Sequence, residues 1–209
     1  MREVHRAALG DRLNVGLLDG PLGTGRVTRL DNDCLELEVA LEQPPPAKLP
    51  LTLLLALPRP KVLNRVLASA TSLGVARIYL LNAWKVEKGY WKSPRMADEN
   101  LRVQRLLGLE QARDTALPEL HLRRLFRPFA EEELPGIAAG TLALVGHPGA
   151  PAPCPRAVQG PVTLAVGPEG GWIDAELASL EAAGFRAVDL GPRILRTETA
   201  LAALVGRLF

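Results

Sequence analysis

The sequence predicts an α/β protein in which a small β-rich module, residues 1–46, precedes a larger unit of alternating strands and helices, residues 47–209. Three observations carry this. Period-two alternation and closely spaced turn signals are confined to the opening of the chain. From residue 49 onward short apolar runs alternate with segments of helical spacing, the pattern of a mainly parallel sheet. Between the two lies Pro44-Pro45-Pro46, a stiff extended spacer.

In the first module, Leu13 to Val15 and Leu17-Leu18 precede turns at Asp19-Gly20 and Gly23 to Gly25, and residues 35–39 alternate apolar with charged, as a half-buried strand does. Residues 51–57 form an apolar strand that Pro58 and Pro60 terminate. Val62, Leu63, Val66, Leu67, Ala70 and Leu73 then follow at helical spacing, with Gly74 placed to close the helix. Residues 75–81 return as a strand, and 94–112 read as a second helix whose arginines at 95, 102, 105 and 113 form a solvated face. After residues 120–125 and the acidic Glu131 to Glu133, residues 141–145 make a strand that stops at Gly146-His147-Pro148-Gly149. Residues 149–161 read as Pro-rich loop. The strand 162–166 ends at Gly167-Pro168. In the helix that follows, Asp174 is expected to cap, Glu176 to sit in the first turn and Gly184 to close. The strand 187–190 ends at Gly191-Pro192, and the last helix offers Leu201, Leu204, Val205 and Leu208 as its apolar stripe.

Composition bounds the class. With 209 residues, 47% of them hydrophobic and 23% charged, the chain suits a globular protein with a sizeable core rather than a disordered or fibrous one. The formal net charge of +2 is carried mostly by arginine, the side chain suited to forked contacts with phosphate. Cys34 and Cys154 lie far apart without ligand-like spacing, so neither a zinc site nor a disulfide framework is indicated, no metal is expected, and a reducing cytoplasm is the default. No apolar run is long enough to span a bilayer, and residues 1–6 do not read as a signal peptide, so no membrane partner is expected.

The two Gly-Pro strand ends are where function is expected. A parallel sheet binds ligands at the C-terminal ends of its strands, glycines let a ligand approach the main chain, and each following helix points unpaired amides at the same crevice. Arg193, Arg196, Glu169 and Glu198 sit inside these otherwise apolar surroundings. Neither loop contains the Gly-Lys-Ser/Thr that grips a nucleotide phosphate, which argues against a phosphate-binding NTPase.

The segments Gly167-Pro168-Glu169-Gly170-Gly171 and Leu190-Gly191-Pro192-Arg193-Ile194-Leu195-Arg196-Thr197-Glu198-Thr199-Ala200 resemble the two signature loops of the SPOUT methyltransferases. Within that superfamily they are most similar to the RsmE family, which methylates N3 of a uridine in 16S, small-subunit ribosomal RNA. Residues 69–75, Ser-Ala-Thr-Ser-Leu-Gly-Val, are similar to the family's helix-closing Lys-Ala-Thr-Glu-Leu-Gly-Val, Glu110-Gln111 resembles its Glu-Gln pair, and the opening strands resemble its PUA-like RNA-binding module. The chain departs from the pattern at Ser69 and Ser72, at Ala112 to Thr115 where Gly-Arg-Asn is usual, and in a shortened β module.

The resemblance implies a trefoil knot and a homodimer with its sites at the subunit interface, the apolar residues of the last helix being candidates for that interface as well as for the core. S-adenosylmethionine would be held by main-chain groups around Val145, Gly146, Gly167, Gly171, Leu190, Gly191 and Leu195. Methyl transfer to a ring nitrogen needs alignment and the loss of one proton from a weakly acidic imide. Arg196 and Glu198 are the first catalytic candidates, Arg193 and Glu169 the second, and Glu110 the third; alternatively, Glu169 and Arg196 pair and lock the two loops together. His147 is expected to be a wall rather than a base. Trp84, Tyr90 and Trp91 among Lys85, Lys88 and Lys92 suit base stacking or simple solvation, and Arg2, His5, Arg6, Arg12, Arg26 and Arg29 are expected to steer RNA phosphates. Two rival readings remain: a SPOUT enzyme acting on another RNA nucleotide, and a knotted RNA-binding or ribosome assembly factor without catalysis.

Overall fold

The computed structural model describes residues 7–209; Arg2, His5 and Arg6 lie outside the described residues. Three antiparallel strands open the chain: β1 (Arg12–Gly16), β2 (Leu22–Leu30) and β3 (Leu35–Gln43), paired in the order β1-β2-β3. The alternation expected at 35–39 holds from Leu35 to Glu38 but not at Val39, which is 53% exposed, and β1 ends at Gly16, leaving Leu17 and Leu18 exposed in the turn.

The rest is a seven-stranded sheet built from β4 (Leu49–Ala56), β5 (Val75–Leu81), β6 (Glu119–Arg123), β7 (Leu142–Gly146), β8 (Ala152–Pro153), β9 (Val162–Val166) and β10 (Arg186–Asp189). Its order is β6-β5-β4-β9-β7-β10-β8, and every pair is parallel. The four main helices are α1 (Pro60–Ser72), α2 (Asp98–Ala112), α3 (Asp174–Ala182) and α4 (Thr197–Leu208). Successive side chains of a strand point to opposite faces, yet every residue from Leu51 to Leu57 is buried, so the sheet is covered on both sides; that is why β4 is an unbroken apolar run instead of an alternating one. On one side α1 packs against α2 and α4, and the fit is close: a Cβ on Gly108 of α2 would lie 2.5 Å from the Ala68 carbonyl oxygen of α1. Elsewhere α3 packs on the helical segment Phe129–Glu133.

Several elements differ from the sequence reading. The segment 94–112 is broken: Pro94–Met96 form a 3-10 turn, Ala97 is extended (ψ 138°), and α2 begins at Asp98. Proline forces the residue before it out of helical geometry, so Ser93 is extended (ψ 142°) and the 3-10 turn starts at Pro94. Arg105 is not part of a solvated face; it donates to the carbonyls of Leu101 (3.1 Å) and Pro118 (2.9 Å), and burial pulls its pKa down. The Pro-rich stretch 149–161 contributes β8 and hydrogen-bonds the last helix, the Ala157 and Val158 amides donating to the carbonyls of Arg207 and Leu208. Asp174 is the first residue of α3 rather than its cap; Glu176 reaches back to the Ile173 amide (3.1 Å). The stripe Leu201, Leu204, Val205 and Leu208 is 0–2% exposed within the single chain, so these four side chains are core rather than open surface.

The β module is docked through the segment after α2. The Asp19 amide donates to the Thr115 carbonyl (2.8 Å), the Leu117 amide to the Asp19 carboxylate (2.8 Å), and the Thr115 hydroxyl to the Gly20 carbonyl. Lys48 and Asp114 form an ion pair at 2.6 Å with side chains 17% and 5% exposed. The residues that depart from the family pattern after Gln111 therefore carry the joint between the modules.

Candidate active site

The site is assembled where β7, β9 and β10 end. Gly167 follows β9 at a tight approach: a Cβ there would sit 3.1 Å from the indole nitrogen of Trp172, which is packed over it and would have to shift. Pro168 to Gly171 then make a turn closed by the Gly171 amide on the Pro168 carbonyl (2.8 Å). Gly171 has φ +72° and Gly191 φ +118°, conformations open to glycine, and nothing lies within 4 Å of where a Cβ would project from either. Both Gly-Pro loops thus present bare main chain to open space.

That space is a cavity of about 530 Å³ lined by Gly146 and His147 from β7's end, the 167–172 loop and Leu190, Arg193, Leu195 and Arg196 from the second loop. Two buried polar atoms on side chains that line this cavity, His147 Nδ1 and Trp172 Nε1, have no hydrogen-bond partner among the described residues. Unpartnered buried donors or acceptors are costly unless a ligand or water meets them. Of the cofactor residues expected from sequence, Gly146, Gly167, Gly171, Leu190 and Leu195 line the cavity, whereas Val145 and Gly191 adjoin it in sequence without lining it. The loops are held in place by Lys85, whose ammonium donates to the Gly170 carbonyl (2.8 Å), and by buried Glu176, which accepts from the Trp84 amide (2.8 Å).

A second cavity of about 750 Å³ adjoins the first, and Glu169 and Arg196 belong to both walls. These two do not pair. Glu169 accepts instead from the Arg59 amide (3.0 Å), which ties the 167–171 loop to the start of α1, while the side chains of Arg193 and Arg196 have no hydrogen bond or ion pair among the described residues. Glu198 lines only the second cavity, paired with Arg65 at 3.2 Å. Glu110 lines neither; it is exposed near the end of α2. Arg59 and Arg65 were missed by sequence reasoning, and Lys85, read from sequence as part of an aromatic and basic cluster, instead braces the 167–171 loop. Arg65 carries no local signal, because its contact with Glu198 spans 133 positions of chain.

The aromatic cluster divides. Trp91 is core, its indole N–H donating to Asn82 (2.9 Å) and its ring under the Arg124 guanidinium (5.4 Å). Trp84 is 80% exposed, and half-buried Tyr90 lines the second cavity. Burial pushes the Cys154 thiol up, and burial together with Glu36 and Asp31 does the same for Cys34, so neither thiol is primed as a nucleophile. The described residues hold no cluster of His, Cys, Asp and Glu suited to a metal ion.

Fold and site together define an α/β domain that binds a small ligand on main chain at the sheet's switch point and presents unpaired guanidinium groups beside it. Comparison with known proteins narrows this. Residues 45–208 match the RNA methyltransferase domain family. The ribosomal RNA small subunit methyltransferase E of Treponema pallidum is 32% identical over 97% of this chain and 78% of its own length. The protein of the same name from Mycobacterium bovis is 35% identical over 78% of this chain, which spans 63% of that relative's length. A methyltransferase of Legionella pneumophila, solved with S-adenosylmethionine bound, superposes with a TM-score of 0.75 at 26% identity, covering 98% of this chain and 84% of that one. The chain belongs to the RNA methyltransferase domain family and, within it, to the ribosomal RNA small subunit methyltransferase E proteins.

Proposed function

We propose that this protein is an S-adenosylmethionine-dependent methyltransferase of small-subunit ribosomal RNA and that its acceptor is N3 of a uridine. The observation that carries the reading is the cavity built from two Gly-Pro loops, with glycines at φ +72° and +118°, open space beyond them, and the orphaned His147 Nδ1 and Trp172 Nε1 at its wall. These features fit a ligand with many polar edges held by backbone. Residues 146–147, 167–171 and 190–195 would hold S-adenosylmethionine, which supplies, when bound, an electrophilic methyl group.

The chain's own work is alignment and charge. The uracil N3 must lose its proton as it takes the methyl group, and the negative charge that develops on the ring needs a cation that is not already spent. Arg196 meets that need, being unpaired and on the wall common to both cavities; Arg193 lines the cofactor side of the same loop. Glu198 is the carboxylate placed to accept the proton once its contact with Arg65 is exchanged, and Glu169 fixes the ridge between the cavities through the Arg59 amide.

The same reading includes a trefoil knot, supported by the lacing of the 149–161 stretch to the end of α4. It also includes a homodimer, supported by Ile194, 85% exposed in the loop beside the cavity. The β module, residues 1–46, acts as a PUA-like RNA-binding unit and the rest as the knotted catalytic unit, in the cytoplasm where ribosomal RNA is processed; no helix among the described residues is long and apolar enough to cross a membrane. Arg26 pairs with Glu38 (2.8 Å) and Arg29 with Asp31 (2.8 Å) and Glu36 (3.2 Å), exposed contacts that a phosphate would have to exchange. Among the described arginines of the module, Arg12 alone has no side-chain partner and meets a phosphate without such an exchange.

The test is mass mapping of modified nucleosides in small-subunit ribosomal RNA from cells lacking the protein, complemented with wild type or Arg196→Ala. Wild type is expected to restore one N3-methyluridine and the variant to leave it largely absent despite normal cofactor affinity. Identical nucleoside profiles with and without the protein would refute the reading.

A further inference from the structure

The cavity on the α1 side of the ridge differs in kind from the cofactor cavity. Its wall sets four cations, Arg59, Lys61, Arg65 and Arg196, against two carboxylates, Glu169 and Glu198, with Tyr90 as the aromatic surface. Its volume of about 750 Å³ lies within the range that small-molecule sites occupy, roughly 300–1,000 Å³. We propose that this cleft seats the acceptor nucleotide and its flanking phosphates, so that RNA enters as an unstacked strand along the start of α1 with its base turned to the Glu169 and Arg196 ridge. The proposal rests on the methyltransferase reading and adds the place and the manner in which the acceptor is held.

In-line displacement requires the acceptor to approach from the side opposite the leaving sulfur, so donor and acceptor need separate but contiguous spaces. The two cavities meet that condition, sharing Glu169 and Arg196. Tyr90 is fixed as a platform: its hydroxyl donates to Glu87 (2.8 Å), and burial first, then Glu87, pushes its pKa up, so the ring stays neutral. Tyr90 lines the same cavity as Arg59 and Glu169. An aromatic face with cations around it is what single-stranded nucleic acid needs, a base stacking on the ring while its phosphates meet the charges.

Lys61 and the Arg59 guanidinium have no partner among the described residues. Arg65 has one, Glu198, in a pair whose arginine is 63% exposed. An exposed pair of this kind contributes little, and a phosphate can take over the guanidinium by exchanging one charge-assisted contact for another. That exchange frees the Glu198 carboxylate on the wall where the acceptor lies. Arg65 is thereby a positioning residue, coupling the arrival of the strand to the release of Glu198.

The experiment uses the full chain saturated with S-adenosylmethionine and small-subunit ribosomal RNA, with Tyr90→Leu, Tyr90→Phe and Lys61→Ala. Cofactor affinity by calorimetry is expected to stay within about twofold of wild type in all three, because none lines the cofactor cavity. Tyr90→Leu should weaken RNA binding by about tenfold, the loss expected for one stacked base, and Tyr90→Phe should restore it. Lys61→Ala should reduce the slope of log affinity against log salt by about 0.7, raising the KM for RNA while leaving the rate at saturating RNA unchanged. Tyr90→Leu and Lys61→Ala proteins that bind RNA like wild type at every salt concentration would overturn the proposal even if wild type methylates normally. A wild type that binds cofactor and RNA but transfers no methyl group would instead refute the activity, and the variants' RNA affinities would still judge the cleft.

Discussion

Gly171 shows how one residue separates fold from function. A side chain at φ +72° costs about 1–2 kcal/mol in left-handed strain, yet it would meet no atom within 4 Å. Gly171→Val is therefore expected to lower the melting temperature by a few degrees while its methyl groups occupy the ligand's space. Calorimetry should show loss of S-adenosylmethionine binding in a folded protein; unchanged affinity would place the ligand elsewhere. Such glycines were legible in sequence because Gly-Pro after a strand has few other uses. The states of the charged residues were not. Arg193 and Arg196 are unpaired while Arg26 and Arg29 are paired, and nothing in composition distinguishes a free guanidinium from one whose partner arrives from another strand.

Among the elements, β6 is joined to the helical segment after it by a fork, Arg123 donating to both oxygens of Glu133 at 2.6 and 2.8 Å. The hydrogen bond from Arg123 holds the Glu133 carboxyl below its ordinary pKa. A carboxylate lowered on folding adds stability above its unfolded pKa, and loses it as pH falls through the folded value. With side chains 39% and 32% exposed the gain is screened to under about 1 kcal/mol. Glu133→Gln should thus be less stable than wild type at neutral pH, with the gap closing below about pH 4 in chemical denaturation. A gap that persisted in acid would mean that the fork contributes through packing rather than charge. Strands and helix stops were read well at this scale because Gly74 and Gly184 take positive φ where closure needs it. The break inside 94–112 was misread: it falls at Ala97, which is extended (ψ 138°) with no glycine or proline beside it to signal the interruption.

For the molecule as a whole, two modules in series were plain from Pro44-Pro45-Pro46, but the joint was not, because Lys48 and Asp114 lie 66 positions apart. Asp114→Ala strands the Lys48 ammonium at a site where the lysine is only 17% exposed, and should cost about 2–3 kcal/mol. The expected readout is faster amide exchange at Asp19 and Leu117, whose bonds cross the joint, with cofactor affinity intact; unchanged exchange would show that the modules hold together without the pair. The strand order has a further consequence, for the chain as it is made. β9 lies between β4 and β7, yet it is synthesised after both, and 111 positions separate Leu51 from its partner Val162. Until β9 arrives, the halves of the sheet on either side of it have no edge in common. Pairings so distant in sequence fold slowly, since loop closure must precede any gain from contact. A nascent chain released before β9 would expose the edge of β4 for the longest time, and β10 with the loop after it follows β9, so the binding site and the sheet that supports it are both completed late, by residues 162–196.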